Sequence, residues 1–142
     1  MKTIHATAVV IDNRCILLRG PSGAGKSDLA LRLIDGGAML VADDRTELIR
    51  KEGDLIARCP STIAGKLEVR GVGILTLPYV SPATVSMVVD LVAPEELERL
   101  PEAECIELLG QQVRQISLAP FEASAPAKVR LALKRADRRR AG

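Results

Sequence analysis

The fold is decided between residues 15 and 44, which read CILLRGPSGAGKSDLALRLIDGGAMLVADD. The apolar run at 15–18 predicts a buried strand, and a glycine-rich stretch follows it. From Ser27 onward, apolar residues recur at helical spacing until Gly36 and Gly37 supply a C-terminal stop. A short apolar run at 39–42 then ends in two aspartates. Strand, glycine loop, helix and strand in this order predict a βαβ unit in an α/β protein.

The glycine-rich stretch matches a known anion-binding pattern. Residues 20–27 read GPSGAGKS and fit G-x-x-x-x-G-K-[ST], the phosphate-binding loop. Glycines allow backbone N–H groups to approach phosphate oxygens, and the following helix adds its dipole. In this pattern the lysine contacts the β- and γ-phosphates and the last hydroxyl binds Mg²⁺. A glycine turn that only caps a helix is the weaker alternative. We therefore expect the phosphates of a nucleotide, with Mg²⁺ at Ser27, to bind at Gly20, Pro21, Ser22, Gly23, Ala24, Gly25, Lys26 and Ser27.

The rest of the chain predicts more strands than helices. Two strand hairpins are expected, with turns at Asp12-Asn13 and at 52–54. Further extended segments are expected at 73–77, 85–92 and 105–118, one or two helical turns at 95–100, and a basic helix at about 127–140. The predicted class is therefore α/β, a P-loop domain with a mixed β-sheet that occupies residues 1–142 as one domain.

Length and composition exclude several classes. A chain of 142 residues with 47% hydrophobic residues can bury a core without disulfides. Tyr79 and Phe121 are the only aromatic residues, so a stacking platform for single-stranded nucleic acid is not expected. The three cysteines lie far apart without C-x-x-C spacing, which argues against disulfides and zinc. Residues 1–5 lack the apolar stretch of a signal peptide, and the apolar runs of the chain are short. We therefore expect a cytoplasmic protein that binds neither membrane nor nucleic acid.

Two acidic groups are candidates for chemistry. Asp43 and Asp44 end the strand after the loop helix, so we expect them beside the phosphate loop at the carboxyl edge of the sheet. At least one carboxylate should face Mg²⁺ or substrate, and a plain turn is the alternative. Glu68 and Arg70 alternate with aliphatic residues, which places both on one side of an extended segment. They suit metal and phosphate contacts, or else form a surface ion pair.

Taken together in order and spacing, these segments resemble the catalytic domain of bacterial HPr kinase/phosphorylase. The resemblance rests on His5, GPSGAGKS at 20–27, VADD at 41–44 and LEVRGVGI at 67–74, and it is thin after residue 74. Members of that family phosphorylate a serine of HPr, the phosphocarrier of the sugar phosphotransferase system. They also reverse the step by phosphorolysis with inorganic phosphate. Their P-loop domain resembles phosphoenolpyruvate carboxykinase, and the same architecture is implied here.

The resemblance also implies residue roles, partners and an assembly. The family's catalytic histidine, loop lysine, proton-transfer acid and later arginine fall on His5, Lys26, Asp44 and Arg99. Its Mg²⁺-binding serine and glutamate fall on Ser27 and Glu68. The implied reaction is transfer of the γ-phosphoryl group of ATP to a serine of an HPr-type carrier. The implied assembly is a homo-oligomer, typically a hexamer.

The sequence departs from the family pattern at two places. Members commonly carry an N-terminal domain, whereas the catalytic pattern begins here at residue 5, so a short single-domain form is expected. Residues 119–128 correspond to a loop associated with dephosphorylation but lack its Gly-Arg dipeptide. Phosphorolysis is therefore the less supported of the two reaction directions.

Two other functions fit the phosphate loop. A small-molecule P-loop kinase uses the same loop, but residues 61–82 do not resemble its arginine-bearing lid. A nucleotide-binding regulatory module would keep the loop and transfer nothing. Seven basic residues and one acid lie from Lys128 to the end of the chain, and they predict either a solvated helix face or a docking surface for the protein acceptor.

Overall fold

The chain begins with a hairpin of two strands, β1 (Lys2–Ile11) and β2 (Arg14–Arg19). This is seen in a computed structural model that describes residues 1–141 and the side chains of residues 1–135. The predicted turn at Asp12 and Asn13 is confirmed, and both residues have positive φ, 50° and 62°. Such two-residue turns match the right-handed twist of the paired strands. The glycine loop follows directly after β2, the second strand of this hairpin.

The predicted order of strand, loop, helix and strand is present. In the sheet, strand β1 lies between the two parallel strands of this unit. Helix α1 (Lys26–Asp35) begins after Gly25 and ends at Gly36, and β3 (Met39–Ala42) follows. Both β2 and β3 pair antiparallel with β1. They therefore run parallel to each other on either side of β1, and their carboxyl ends lie at the same edge of the sheet.

The remaining elements extend this sheet and add one hairpin and one helix. They are β4 (Arg45–Lys51), β5 (Asp54–Arg58), β6 (Lys66–Val69), β7 (Gly73–Thr76), β8 (Ala83–Leu91), β9 (Glu104–Leu108), β10 (Gln111–Leu118) and α2 (Ala125–Ala141). The strand order is β2-β1-β4-β5-β8-β10-β9, with β3 beside β1. Because β2 also pairs with β8, strands β1, β2, β8, β5 and β4 close into a ring. Strands β6 and β7 form a separate two-stranded sheet.

Apolar side chains cover both faces of the large sheet. One core lies between the sheet and the two helices and includes Ile16, Leu18, Leu29, Leu33, Met87, Val89, Val129 and Leu133. The other lies on the opposite face and includes Ala8, Cys15, Leu17, Val41, Leu48, Leu55, Val88 and Val113. Strand β2 contributes to both, which explains its uninterrupted apolar sequence. The mixed α/β class predicted from the sequence is confirmed.

Two segments differ from the sequence prediction. Residues 105–118 are not one extended segment but two strands, β9 and β10, joined by a turn at Leu109 and Gly110 with φ of 48° and 77°. Residues 95–100 contain a single 3-10 turn, Pro94–Glu96, rather than an α-helical segment. Leu100 is 85% exposed and precedes a proline, so this segment has neither a buried apolar face nor a favourable helical backbone.

The C-terminal helix agrees with the sequence prediction as far as it is described. The basic helix expected at about 127–140 lies within α2, whose buried residues Val129 and Leu133 pack into the helix-side core. The side chains of residues 136–142 lie outside the described part of the chain. Within the described part, neither helix is long and apolar enough to cross a membrane.

Candidate active site

The candidate site lies at the edge of the sheet where the parallel strands end. The glycine loop follows β2, Asp43 and Asp44 follow β3, and Pro120 and Phe121 follow β10. Strand β8 pairs in parallel with both β2 and β10, so these carboxyl ends share one edge. Ligands of open α/β sheets bind at this position. The predicted placement of the acidic pair beside the glycine loop is therefore what the structure shows.

The glycine loop has the backbone that a phosphate cradle requires. Gly23 and Gly25 have φ of 82° and 97°, a region that side chains with a Cβ rarely adopt. A Cβ on Gly20 would lie 2.9 Å from the Cβ of Ala24, so the loop folds too tightly for a larger residue there. Helix α1 starts immediately after Gly25 and directs its N-terminal N–H groups at the loop.

The side chain of Lys26 is hydrogen-bonded to the first residues of this loop. Its side chain is 6% exposed, and Nζ donates to the carbonyl oxygens of Gly20 at 2.8 Å and Pro21 at 3.2 Å. The same nitrogen lies 3.8 Å from Oδ1 of Asp44. A nearly buried ammonium group at this point supplies the positive charge that a triphosphate needs.

Asp43 connects three parts of the site through its carboxylate. Oδ1 accepts hydrogen bonds from Oγ of Ser27 at 2.7 Å and from Oγ1 of Thr7 at 3.0 Å. Oδ2 accepts from the backbone N–H of Glu68 at 3.1 Å. The carboxylate thus joins the first turn of α1, strand β1 and strand β6. Ser27 and Glu68, which the sequence predicted as metal ligands, are both hydrogen-bonded to it.

Asp44 differs from Asp43 in exposure and in backbone. Its side chain is 61% exposed and its φ is 66°, which turns the chain between β3 and β4. The backbone N–H of Asp44 donates to Oγ1 of Thr7 at 3.0 Å. The hydroxyl of Thr7 therefore contacts both acids of the pair. One carboxylate is occupied by protein groups, and the other is open to the cleft.

The β6–β7 hairpin forms the wall of the cleft that faces the loop. Glu68 and Arg70 both line the cleft, as the alternation in their segment predicted. Leu67 is fully buried and anchors the hairpin, while Gly71 and Gly73 adopt φ of 89° and 128° at its turn. The cleft has a volume of about 360 Å³. Its other lining residues are Ser22, Gly23, Gly25, Lys26, Ser27, Asp28, Leu31, Asp43, Asp44, Val69 and Phe121.

Two of the sequence-predicted catalytic residues do not line this cleft. His5 is exposed on β1, where it pairs opposite Arg45, the residue after Asp44. Arg99 is exposed in the segment that follows the 3-10 turn after β8. The structure thus brings Lys26, Asp44 and the metal-ligand candidates together and leaves these two side chains outside the cleft lining.

Three functional candidates are additional to those found in the sequence. Thr7 is a fully buried polar residue between alanines on β1, which was the available signal for it. Phe121 is one of only two aromatic residues in the chain. Arg32 binds the loop that carries Phe121, and no sequence pattern distinguished it from other helical arginines. The contacts of all three residues join positions that are far apart in the chain, and a single sequence does not reveal such contacts.

The oxygen groups of the cleft suit Mg²⁺. The described residues contain no group of three or more His, Cys, Asp and Glu side chains able to hold a metal ion. Mg²⁺ does not require one, because it retains waters and is usually held by one or two carboxylates together with substrate phosphates. The hydroxyl of Ser27 and the carboxylate of Glu68 meet that requirement.

Cysteine chemistry plays no part in this cleft. Cys15, Cys59 and Cys105 are all free thiols, and none of them lines it. Burial raises the pKa of Cys15 to about 12, and it also raises the pKa of Cys59. Neither thiol is a nucleophile at neutral pH, because the thiolate is the reactive form.

The fold and site define a P-loop α/β protein with an acid beside the loop lysine. The model of the HPr Serine kinase C-terminal domain family matches residues 1–129, and the chain belongs to this family. It is 35% identical over 127 aligned residues to the HPr kinase/phosphorylases of Burkholderia lata and Burkholderia cenocepacia. These alignments cover 82% of the chain but 39% of each relative. The chain therefore spans about two fifths of the length of these curated relatives.

A solved structure extends the comparison to the whole fold. The HPr(Ser) kinase/phosphatase from Coxiella burnetii superposes with a TM-score of 0.89 at 29% sequence identity. The alignment covers 100% of both chains. The mixed sheet with its two helices is thus the architecture of a known family domain.

Proposed function

We propose that this chain is an ATP- and Mg²⁺-dependent kinase that phosphorylates a serine of an HPr-type phosphocarrier protein. The observation that carries the proposal is a phosphate loop whose lysine lies 3.8 Å from the exposed carboxylate of Asp44. The names of the Burkholderia relatives and of the Coxiella structure support HPr as the acceptor. Residues 1–142 would act as one kinase unit.

The triphosphate of ATP is proposed to lie in the glycine loop. Backbone N–H groups of residues 20–27 and the N-terminus of α1 would bind its β- and γ-phosphates. Lys26 would exchange its bonds to the Gly20 and Pro21 carbonyls for phosphate oxygens, which are stronger partners because they are charged. A triphosphate bound in this way would have its γ-phosphorus near Asp44, whose carboxylate lies 3.8 Å from Nζ of Lys26.

Ser27 and Glu68 are proposed to hold Mg²⁺ against the phosphates. When bound, the cation neutralises charge on the transferring group and orients it for in-line attack. Asp43 would act without touching the substrate, because its carboxylate is occupied by Ser27, Thr7 and the N–H of Glu68. Its role is to keep the two metal-ligand candidates at a fixed separation.

Asp44 is proposed as the general base. As the serine oxygen bonds to the γ-phosphorus, the hydroxyl proton passes to the Asp44 carboxylate, and the bond from the γ-phosphorus to ADP breaks. Arg70 lines the cleft and can neutralise the transferring group. His5 is proposed to orient Asp44, since it lies on the strand opposite the residue that follows Asp44. The role implied for Arg99 has no supporting contact in the described residues.

Phosphorolysis is proposed as the reverse of the same step. An oxygen of inorganic phosphate would attack the phosphorus of phosphoserine to form pyrophosphate, the bond from that phosphorus to the serine oxygen would break, and protonated Asp44 would give its proton to the serine oxygen. The relatives named kinase/phosphorylase support this direction. The segment 119–128 differs from the family loop associated with it, so we expect the forward reaction to be faster.

The experiment that tests the proposal is phosphate transfer from labelled ATP. Purified HPr and a panel of small metabolites are offered separately, and the labelled acceptor is identified by mass spectrometry. Label on a serine of HPr supports the proposal. Label on a metabolite would indicate a small-molecule kinase, and ATP binding without transfer to any acceptor would indicate a regulatory module.

The same preparation tests the proposed setting of the enzyme. Light scattering measures whether the chain forms the hexamer or another homo-oligomer implied by the family. A cytoplasmic location is proposed because all three cysteines are free thiols, which is typical of a reducing compartment. Fractionation of cells that express the full-length protein measures it directly.

A further inference from the structure

An exposed aromatic side chain lies at the rim of the phosphate cleft. Phe121 is 69% exposed and lines the cleft on the side of Leu31 and Asp28. A phenylalanine exposed to this extent gives up most of the free energy that its burial would contribute. It is also the only aromatic residue among those that line the cleft. Neither the phosphate loop nor the proton transfer to Asp44 uses it.

The ring of Phe121 is in direct contact with the phosphate loop. A Cβ built on Gly25 would come within 2.9 Å of Cζ and 3.1 Å of Cε1 of the ring. The edge of the ring therefore occupies space that any residue other than glycine would fill. Because Gly25 is the last loop residue before α1, the ring lies against the end of the phosphate loop that leads into the helix.

The position of Phe121 is fixed by a single arginine on α1. Nη1 of Arg32 donates to the carbonyl of Glu122 at 3.1 Å, and Nη2 donates to the carbonyl of Pro120. Nε of Arg32 donates to Asp28 at 3.0 Å, which fixes the guanidinium itself. The two carbonyls on either side of Phe121 are thus bound to one group. The ring is held in place and is not the tip of a free loop.

We propose that Phe121 is the stacking platform for the nucleobase of the bound nucleotide and that Arg32 is its positioning residue. The inference rests on the proposed function, because it requires a nucleotide whose phosphates lie in the loop. With the phosphates fixed there, the nucleoside must leave along one wall of the cleft. Glu68 and Arg70 line the cleft with charged groups, whereas Leu31 and Phe121 offer the apolar surface that a flat base requires, beside Asp28, whose carboxylate is paired with Arg32.

A stacking platform determines which part of the nucleobase the site recognises. A stacked ring contacts the face of a base and not the hydrogen-bonding groups on its edge, so the site tolerates different bases. We expect adenine and guanine nucleotides to bind with affinities within about threefold of each other. The sequence excluded a platform for single-stranded nucleic acid because the chain has two aromatic residues. One ring beside a phosphate loop is sufficient for a single base.

Calorimetry with two ligands separates base binding from phosphate binding. Mg²⁺-ADP carries a base and pyrophosphate does not. We expect Phe121→Ala to weaken ADP binding about fivefold or more and to leave pyrophosphate binding within twofold of wild type. Arg32→Ala should show the same selective loss, because it releases the loop that presents the ring. Leu131→Ala removes a side chain of similar exposure, 65%, on α2 and is the matched control.

A fluorescence measurement observes the stacking directly. The chain contains no tryptophan, so Phe121→Trp introduces a single tryptophan at the platform, whose emission is recorded by selective excitation of the indole. Saturating ADP should quench its emission, and saturating pyrophosphate should not. Equal binding of ADP to wild type and Phe121→Ala, with unquenched Phe121→Trp, would overturn the platform and leave the phosphate loop intact. A wild-type chain that binds neither ligand would overturn the proposed function and the platform with it.

Discussion

At the scale of single residues, the site holds two adjacent aspartates in different environments. Asp43 is occupied by hydrogen bonds from Ser27, Thr7 and the N–H of Glu68. Asp44 has an exposed carboxylate beside Lys26. A base must meet the incoming hydroxyl, whereas a positioning group must hold its neighbours still. The φ of 66° at Asp44 turns the chain directly after Asp43, which is half-buried, whereas the Asp44 side chain is 61% exposed.

Asp44→Asn tests the base directly. An amide keeps the shape of the side chain but does not accept the serine proton, so we expect kcat to fall by about 10²- to 10⁴-fold. Affinity for ADP should remain within about twofold of wild type, since the base acts only in the chemical step. The measurement is steady-state phosphorylation of HPr alongside calorimetry. Lys26→Ala is the contrasting variant and should weaken both properties. Unchanged turnover in Asp44→Asn would remove Asp44 from the mechanism.

Thr7→Val tests whether the buried hydroxyl positions the acidic pair. Valine has the same shape but neither donates to Asp43 nor accepts from the N–H of Asp44. We expect kcat to fall about tenfold or more with little change in KM for ATP, because small displacements of catalytic groups are costly. Thr7→Ser keeps the hydroxyl and should restore kcat. If Thr7→Val lowers only the melting temperature, the hydroxyl has a structural role alone.

At the scale of elements, two helices cover one face of the sheet and place the loop. Helix α1 presents its first turn to the site and buries Leu29 and Leu33 against the strands. Helix α2 packs beside it through Val129 and Leu133. Arg130 on α2 donates to the carbonyl of Leu33 at 3.0 Å, near the end of α1. The position of α1, and with it the phosphate loop, thus depends on the packing of α2.

Leu133→Ala measures how much the packing of α2 on the sheet contributes to the free energy of unfolding. Leu133 is 1% exposed, and its truncation leaves a cavity between α2 and the sheet. We expect the free energy of unfolding to fall by about 2–5 kcal/mol. Leu131→Ala, on the exposed side of the same helix, should change it by less than about 0.5 kcal/mol. Urea denaturation of the two variants provides the comparison. Equal destabilisation would show that α2 does not pack on the sheet through Leu133.

At the scale of the whole molecule, charge is concentrated at the C-terminal end. Seven basic residues and one acid lie from Lys128 onward, in a chain whose net charge is +2. Of the described residues in this region, Lys134 and Arg135 are exposed. A basic end of this kind accelerates encounter with an acidic protein surface more than it stabilises the fold.

Deletion of residues 134–142 tests the docking role. We expect kcat/KM for HPr to fall about tenfold, while ATP hydrolysis without an acceptor remains unchanged. Because the proposed attraction is electrostatic, the difference between the two chains should shrink as salt is raised from 50 mM to about 500 mM. Equal effects on phosphorylation and hydrolysis would favour a solvated helix face with no docking role.

The features that could be predicted from the sequence are those that a short run of neighbouring residues specifies. The phosphate loop is contiguous, and its glycines, lysine and serine carry their roles in fixed order at 20–27. The Asp12-Asn13 turn and the helical spacing after Ser27 are local for the same reason. The split of 105–118 into two strands was missed, because both halves carry strand-like residues and the hairpin turn at Leu109 and Gly110 between them was not recognised.

The tertiary structure alone decided which distant residues complete the site. Asp43 meets Ser27, Glu68 and Thr7 across 16, 25 and 36 residues of chain. Arg32 holds the segment around Phe121 across about 90 residues, through contacts separated by 88 and 90 positions. The sequence determined a loop with the phosphate-binding pattern, because backbone conformation within a short segment follows from its own residues. The positions of Asp44, of the Asp43 carboxylate and of Phe121 depend on packing, because the sheet brings the ends of β2, β3 and β10 to one edge.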